Sequence, residues 1–140
     1  MSINVFNRQK SVNIGDMLVS FYFAIFEKME YELKLPKEKE YNLILVSDKR
    51  IKELNKRYIG KNLVTDVICF SYDQGADIFV SVDTVKTNSE LYRENFQTEL
   101  TRVFAHGLLH AVGYEDNTSL SKKRMWRVQE RIVRCISLYK

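Results

Sequence analysis

The chain has 140 residues, 22 Lys plus Arg against 18 Asp plus Glu, and a formal net charge of +4. With 45% hydrophobic and 29% charged residues, eight Tyr, eight Phe and one Trp, it reads as a globular domain and not as a disordered chain. Two histidines and two cysteines exclude a three-histidine site, a four-cysteine zinc site and a disulfide framework within one chain, while the mild excess of base tilts its partners towards anions.

Met1 to Lys10 has no signal-peptide layout, and Ile3 to Asn7 partly alternates, as a short strand does. Asp16 to Tyr31 carries Leu18, Phe21, Tyr22, Ile25, Phe26 and Met29 at steps of three and four, which predicts an amphipathic helix. Its apolar run, Met17 to Phe26, is half the length of about 20 residues that a membrane span requires. Glu27, Lys28 and Glu30 follow it in place of a small-residue cleavage site, so the expectation is a buried helix, no membrane and a cytoplasmic chain.

Beyond Pro36 and the charged run Lys37 to Glu40, Tyr41 to Val46 is a strand. Ser47 is an N-cap for a helix over Asp48 to Arg57, ended by Gly60. Thr65 to Tyr72 and Asp77 to Val82 are strands, and the short turn between them predicts an antiparallel pair. A helix starts at Asp83 or Thr84 and breaks near Asn95. Another runs from Gln97 to Val112 and stops at Gly113. Ser119 to Leu138 is the last helix, with Leu120, Met125, Val128, Ile132, Ile136 and Tyr139 on its apolar stripe. No linker or repeat interrupts the chain, so residues 1–140 read as a single α+β domain: a mixed four-stranded sheet packed with about five helices. Cys69 and Cys135 read as small apolar groups.

The chemistry lies in His106-Gly107-Leu108-Leu109-His110-Ala111-Val112-Gly113-Tyr114-Glu115-Asp116. Histidines four apart on a helix stack on one face, about 6 Å apart at Cβ, a spacing that suits two imidazoles on one metal ion. Gly113 permits a sharp turn that can bring Asp116 to the same ion as a third ligand. Three protein ligands and an open position describe a catalytic zinc site, with other divalent ions admitted by the carboxylate. The spacing is that of the metzincin peptidase helix, except that the glutamate acting there as general base is Gly107 here. A zincin-like metallopeptidase is thereby weakened at its central residue.

His-Gly-x-Leu-His-x-x-Gly-Tyr followed by an acidic turn resembles the YbeY family of bacterial ribosomal RNA maturation factors, described as metal-dependent single-strand endoribonucleases. Leu54-Asn55-Lys56-Arg57-Tyr58, Thr65-Asp66-Val67-Ile68-Cys69-Phe70-Ser71 and Ala76-Asp77-Ile78-Phe79-Val80-Ser81 resemble further blocks of that family, in order. The resemblance implies one Zn2+ per chain on His106, His110 and Asp116, with aspartate where the family usually has histidine. It implies ribosomal RNA, the small ribosomal subunit and its assembly proteins as partners, and no small-molecule cofactor. Asp66 is a candidate catalytic group beside the metal, or else the cap of a strand end.

The arginine that the family usually carries after the block's tyrosine is Ile59 in this chain. Lys56, Arg57 and Lys61, with Lys49, Arg50 and Lys52, are the candidate RNA contacts. Tyr58 and Tyr114 are candidates for base stacking or for the core. Glu99 and Arg102 share the helix face of His106 and are candidates to orient the site, though a solvated i,i+3 pair is the commoner arrangement; Lys122-Lys123-Arg124 with Arg127, Arg131 and Arg134 reads as a solvated face or else as a surface facing the ribosome. The missing arginine keeps a third reading open, a ribosome assembly factor that holds the metal without cutting.

Overall fold

The computed structural model describes residues 3–137, and the backbone alone for residues 16–24, 136 and 137. Nine elements follow one another: β1 (Ile3–Asn7), α1 (Gly15–Leu33), β2 (Glu40–Val46), α2 (Asp48–Tyr58), β3 (Val67–Tyr72), β4 (Gly75–Ser81), α3 (Val82–Leu91), α4 (Phe96–Ala111) and α5 (Ser119–Ser137). The strands lie in the order β1-β2-β4-β3. β1 with β2 and β2 with β4 are parallel, which requires crossovers, and α1 supplies the first. β3 and β4 are antiparallel, joined by the turn at Asp73 and Gln74, as the spacing predicts. The result is an α+β mixed sheet with five helices.

Alternation along the strands divides the sheet into two faces. Tyr41, Leu43, Leu45, Ala76, Ile78 and Val80 share one core with Phe26 and Met29 of α1 and with Leu100, Phe104 and Leu108 of α4. The Phe26 and Phe104 rings meet edge to face at 4.4 Å. On the opposite face Val46 and Ile68 pack with Ile51 and Leu54 of α2, flanked by Ile44, Phe70 and Phe79. Cys69 is half-buried against the larger core, where burial pushes its thiol pKa up, and Cys135 is half-buried as well.

Side-chain caps set the helix starts. Ser47 Oγ accepts from Arg50 N at 3.3 Å, Ser81 Oγ from Thr84 N at 3.3 Å, and Asn95 Oδ1 from Thr98 N at 2.8 Å. Each cap contributes about 1 kcal/mol. α4 is enclosed by α3, α5, β3 and β4, which explains why Glu99 and Thr101 are buried along with its apolar residues.

The stripe of α5 differs from its expected form. Met125, Ile132 and Val133 are buried, but Leu120 is 60% exposed, because the first turn of α5 lies beyond the covered part of the helix. Tyr139 lies outside the described residues, as do the side chains of Leu18, Phe21, Tyr22 and Ile136. Among the described residues no helix is long and apolar enough to cross a membrane.

Candidate metal centre

The last two turns of α4 hold both imidazoles on one side. Their Nε2 atoms are 3.2 Å apart and their ring centroids 4.8 Å apart. The helix stops at Val112, and Gly113 follows with φ +102°, a conformation that side chains rarely adopt. Tyr114 N donates back to Leu109 O at 3.0 Å, completing a glycine-type stop. The chain that leaves it carries Asp116 Oδ2 to 3.8 Å from His106 Nε2 and 3.5 Å from His110 Nε2. One ligand atom from each of the three side chains falls within 4.8 Å of the others.

This donor set fits a divalent ion. Tetrahedral zinc with bonds of about 2.05 Å sets its ligand atoms roughly 3.3 Å apart, against 3.2, 3.5 and 3.8 Å here. All three side chains are between 33% and 41% exposed, so an ion held by them would be open to solvent.

A polar relay behind the imidazoles fixes one of them. Gln129 of α5 is 7% exposed, and its Oε1 lies 2.8 Å from His106 Nδ1. Its Nε2 donates to Glu130 Oε2 at 3.2 Å, which orients the amide. The oxygen therefore faces the ring, Nδ1 carries the proton, and the lone pair at Nε2 points towards His110 and Asp116. Glu130 is held in turn by Arg102, whose Nε reaches Glu130 Oε2 at 3.0 Å and Nη2 reaches Oε1 at 3.0 Å. Burial alone would raise the Glu130 carboxyl, but hydrogen bonds from Arg102 and Gln129 overcome it and hold the pKa below the usual value.

Arg102 also pairs with Glu94 and with Glu99, so the expected solvated i,i+3 pair is instead part of a partly buried network. Glu99 is 3% exposed, its Oε2 has no hydrogen-bond partner, and burial pushes its carboxyl pKa up against the pull of Arg102. The reason is the enclosure of α4, which hydropathy at one position does not reveal.

Gly107 faces the sheet. A Cβ there would lie 2.7 Å from Ile78 Cγ2 and 2.9 Å from Val67 Cγ2. The position after the first histidine thus has no room for the glutamate of a peptidase helix, and the helix approaches the sheet closely because it lacks one.

Residues 4–137 match the family described as Endoribonuclease YbeY. The chain belongs to the YbeY family. An Endoribonuclease YbeY of Thermodesulfovibrio yellowstonii is 31% identical over 94% of this chain and 94% of its own length. That of Bacteroides thetaiotaomicron is 41% identical over 55% of this chain and 59% of its own. A protein from Thermotoga maritima, solved in solution, superposes with a TM-score of 0.66 at 31% identity, covering 96% of this chain and 88% of that one.

The YbeY blocks have structural duties in this chain. Asn55 is buried, and its Nδ2 donates to Leu63 O at 3.0 Å, tying the loop after α2 to the helix. Asp77 Oδ1 accepts from Asn42 Nδ2 at 2.9 Å and from the Tyr72 hydroxyl at 3.1 Å. The Asp66 backbone carbonyl accepts from Ser81 N at 2.9 Å. The Asp66 carboxylate acts electrostatically on Glu99, helping to raise its pKa, and no described contact joins it to the imidazoles. Glu99 is seven residues before His106, or about 10.5 Å along the helix axis.

Lys56, Arg57 and Lys61 are exposed. The Arg57 guanidinium lies over the Tyr58 ring at 5.5 Å, and Tyr58 is itself 59% exposed. Lys61 lines a groove of about 340 Å³ with Asn55, Ile59, Leu63 and Val67. Val67 also faces Gly107, so this groove reaches the sheet edge beside α4. Tyr114 is half-buried and borders a cleft of about 350 Å³ with Gly113, Glu115 and Arg124.

Sequence reasoning missed Gln129 and Glu130. Gln129 did leave a signal: it is a polar residue between Met125 and Ile132 on an otherwise apolar stripe.

Proposed function

We propose that this chain is a metal-dependent endoribonuclease that cuts single-stranded RNA during maturation of small-subunit ribosomal RNA. The observation that carries this reading is the convergence of His106, His110 and Asp116 within 4.8 Å in a chain of the YbeY family. We take His106, His110 and Asp116 as the metal ligands and Zn2+ as the ion, one per chain. A divalent ion there supplies Lewis acidity, which polarises a phosphoryl oxygen and brings the pKa of a water towards neutral.

The protein's own part is preparation. The Gln129 amide holds His106 with Nε2 bare. Asp116 adds a negative charge that a third histidine would not, which favours retention of a dication. Arg57 and Lys61 draw the phosphate backbone towards the groove beside Val67, Lys56 adds to that field, and Asp66 stands at the start of β3 as a group for proton transfer or positioning. The partners follow from this reading: ribosomal RNA and the small ribosomal subunit with its assembly proteins, in the cytoplasm.

The test is cleavage of a single-stranded RNA beside elemental analysis of the same preparation. Wild type should cut and carry metal, and His110→Ala should lose both. Cutting that persists in His110→Ala with chelator present rejects the proposal. The second reading, an assembly factor that binds without cutting, is favoured by Ile59, an aliphatic residue 49% exposed where the family usually has arginine. Salt-sensitive binding to small subunits, with no cleavage across several divalent metals, would select it.

A further inference from the structure

The only tryptophan of the chain stands beside the metal ligands and is unaccounted for by them. Lys122, Met125, Trp126 and Gln129 recur at steps of three, one and three on α5 and so share one side of the helix. With His106 and Asp116 they line a cleft of about 160 Å³. Met125 is 1% exposed and makes an apolar floor, whereas Trp126 is 60% exposed. Among the described residues the indole has no ring partner and no hydrogen-bonding partner. Lys122 is exposed at the rim, and Lys123, Arg124 and Arg127 continue the positive charge along α5.

Resting on the endoribonuclease reading, we propose that this cleft is a nucleotide subsite: Trp126 stacks one base of the single-stranded RNA next to the cut, and Lys122 takes an adjoining phosphate. A wholly apolar partner would find one flat wall and the Lys122 ammonium at the rim, whereas a nucleotide matches both. The base meets the indole face, and the phosphate stays clear of the Asp116 carboxylate by turning to the rim. His106 and Asp116 form the opposite wall, so a nucleotide stacked here lies immediately beside the centre where the backbone is to be cut. The lysine belongs to the basic run that the sequence presents as a solvated face, and the helical spacing sets it apart from Lys123.

Because the chain has a single tryptophan, its emission reports this subsite directly. A 2′-O-methyl RNA oligomer, verified intact by electrophoresis after mixing, is titrated into the full chain while indole emission and the anisotropy of a labelled oligomer are followed. Wild type should show a quench that saturates with the anisotropy. Trp126→Ala should bind about tenfold more weakly, the lower part of the range for one stacked base. Trp126→Phe should stay within about threefold of wild type, and an oligomer with abasic sites should bind wild type and Trp126→Ala alike.

Lys122→Gln should lower the slope of log affinity against log salt by about 0.7, one phosphate contact on a single strand. The exposure of Trp126 and Lys122 lets both variants fold, which circular dichroism verifies. RNA binding with unchanged indole emission, or unchanged affinity in Trp126→Ala, overturns the subsite and leaves the nuclease reading in place. Absence of any RNA binding by wild type overturns both.

Discussion

Gln129 Oε1 and His106 Nδ1 stand 2.8 Å apart, and the amide between them is turned by Glu130, itself held by Arg102. A ligand histidine keeps its bare nitrogen towards the ion only if the other nitrogen has an acceptor. Gln129→Met, of similar shape but without the acceptor, should weaken zinc binding about 10- to 100-fold, as loss of such a partner does. Gln129→Glu retains an acceptor but loses the donor to Glu130 and sets two carboxylates together, so it should fall between the two. Competition with a chelating dye measures the affinities. Equal affinity in Gln129→Met would show that the relay has no hold on the ligand.

Asp116 offers an oxygen where a histidine would offer nitrogen, and oxygen ligands suit harder ions. Asp116→His should therefore retain zinc while losing affinity for Mn2+ relative to zinc. Asp116→Ala should lose metal altogether. Competitive metal loading followed by elemental analysis reads both, and unchanged metal content in Asp116→Ala would remove this residue from the ligand set.

Gly107 allows α4 to lie against Ile78 and Val67. In Gly107→Ala the added methyl overpacks that contact by about 1–3 kcal/mol, offset by about 1 kcal/mol of better helix propensity. A net loss of about 1 kcal/mol, or a fall in Tm of about 3 °C, is the expected outcome. Gly107→Glu, the peptidase residue, should cost several times more. Thermal melts decide, and a glutamate variant as stable as wild type would contradict the packing described for this turn.

Burial raises the pKa of Glu99, so the folded state binds its proton more tightly than the unfolded chain does. The stability this confers is present below the unfolded value of about 4.3 and is lost as pH rises through the folded value. Glu99→Gln removes that loss. Its stability relative to wild type should climb as pH rises above about 4.3 and level off once the wild-type carboxyl is ionised. Urea unfolding across this range gives the difference. A difference that does not change with pH would place the Glu99 carboxyl at its ordinary value in the folded chain.

Local chemistry made much of the fold readable. Ser47 marks a helix start because its side chain satisfies a free N–H group, the break near Asn95 falls where that side chain caps α4, and Gly113 marks a stop because of its φ. The short Asp73–Gln74 connection leaves β3 and β4 only an antiparallel pairing. The trio His106, His110 and Asp116 was legible for the same reason, since one helix turn and one glycine turn suffice to bring them together.

Burial by distant elements was not legible. Glu99 lies under a helix and a sheet that neighbouring residues do not disclose, and Leu120 escapes cover because α5 outruns what it packs on. Gln129 meets His106 across 23 residues of sequence, so only the docking of α5 on α4 reveals the contact.

The three candidate ligands are not equally fixed. His106 and His110 ride on a helix enclosed by four other elements, while Asp116 hangs from the short connection between Gly113 and Ser119 and is 41% exposed. Two arms of the grip are set by a packed helix and the third by an exposed connection that already brings it into place. Substitutions that stiffen that connection should therefore slow metal exchange without altering either imidazole.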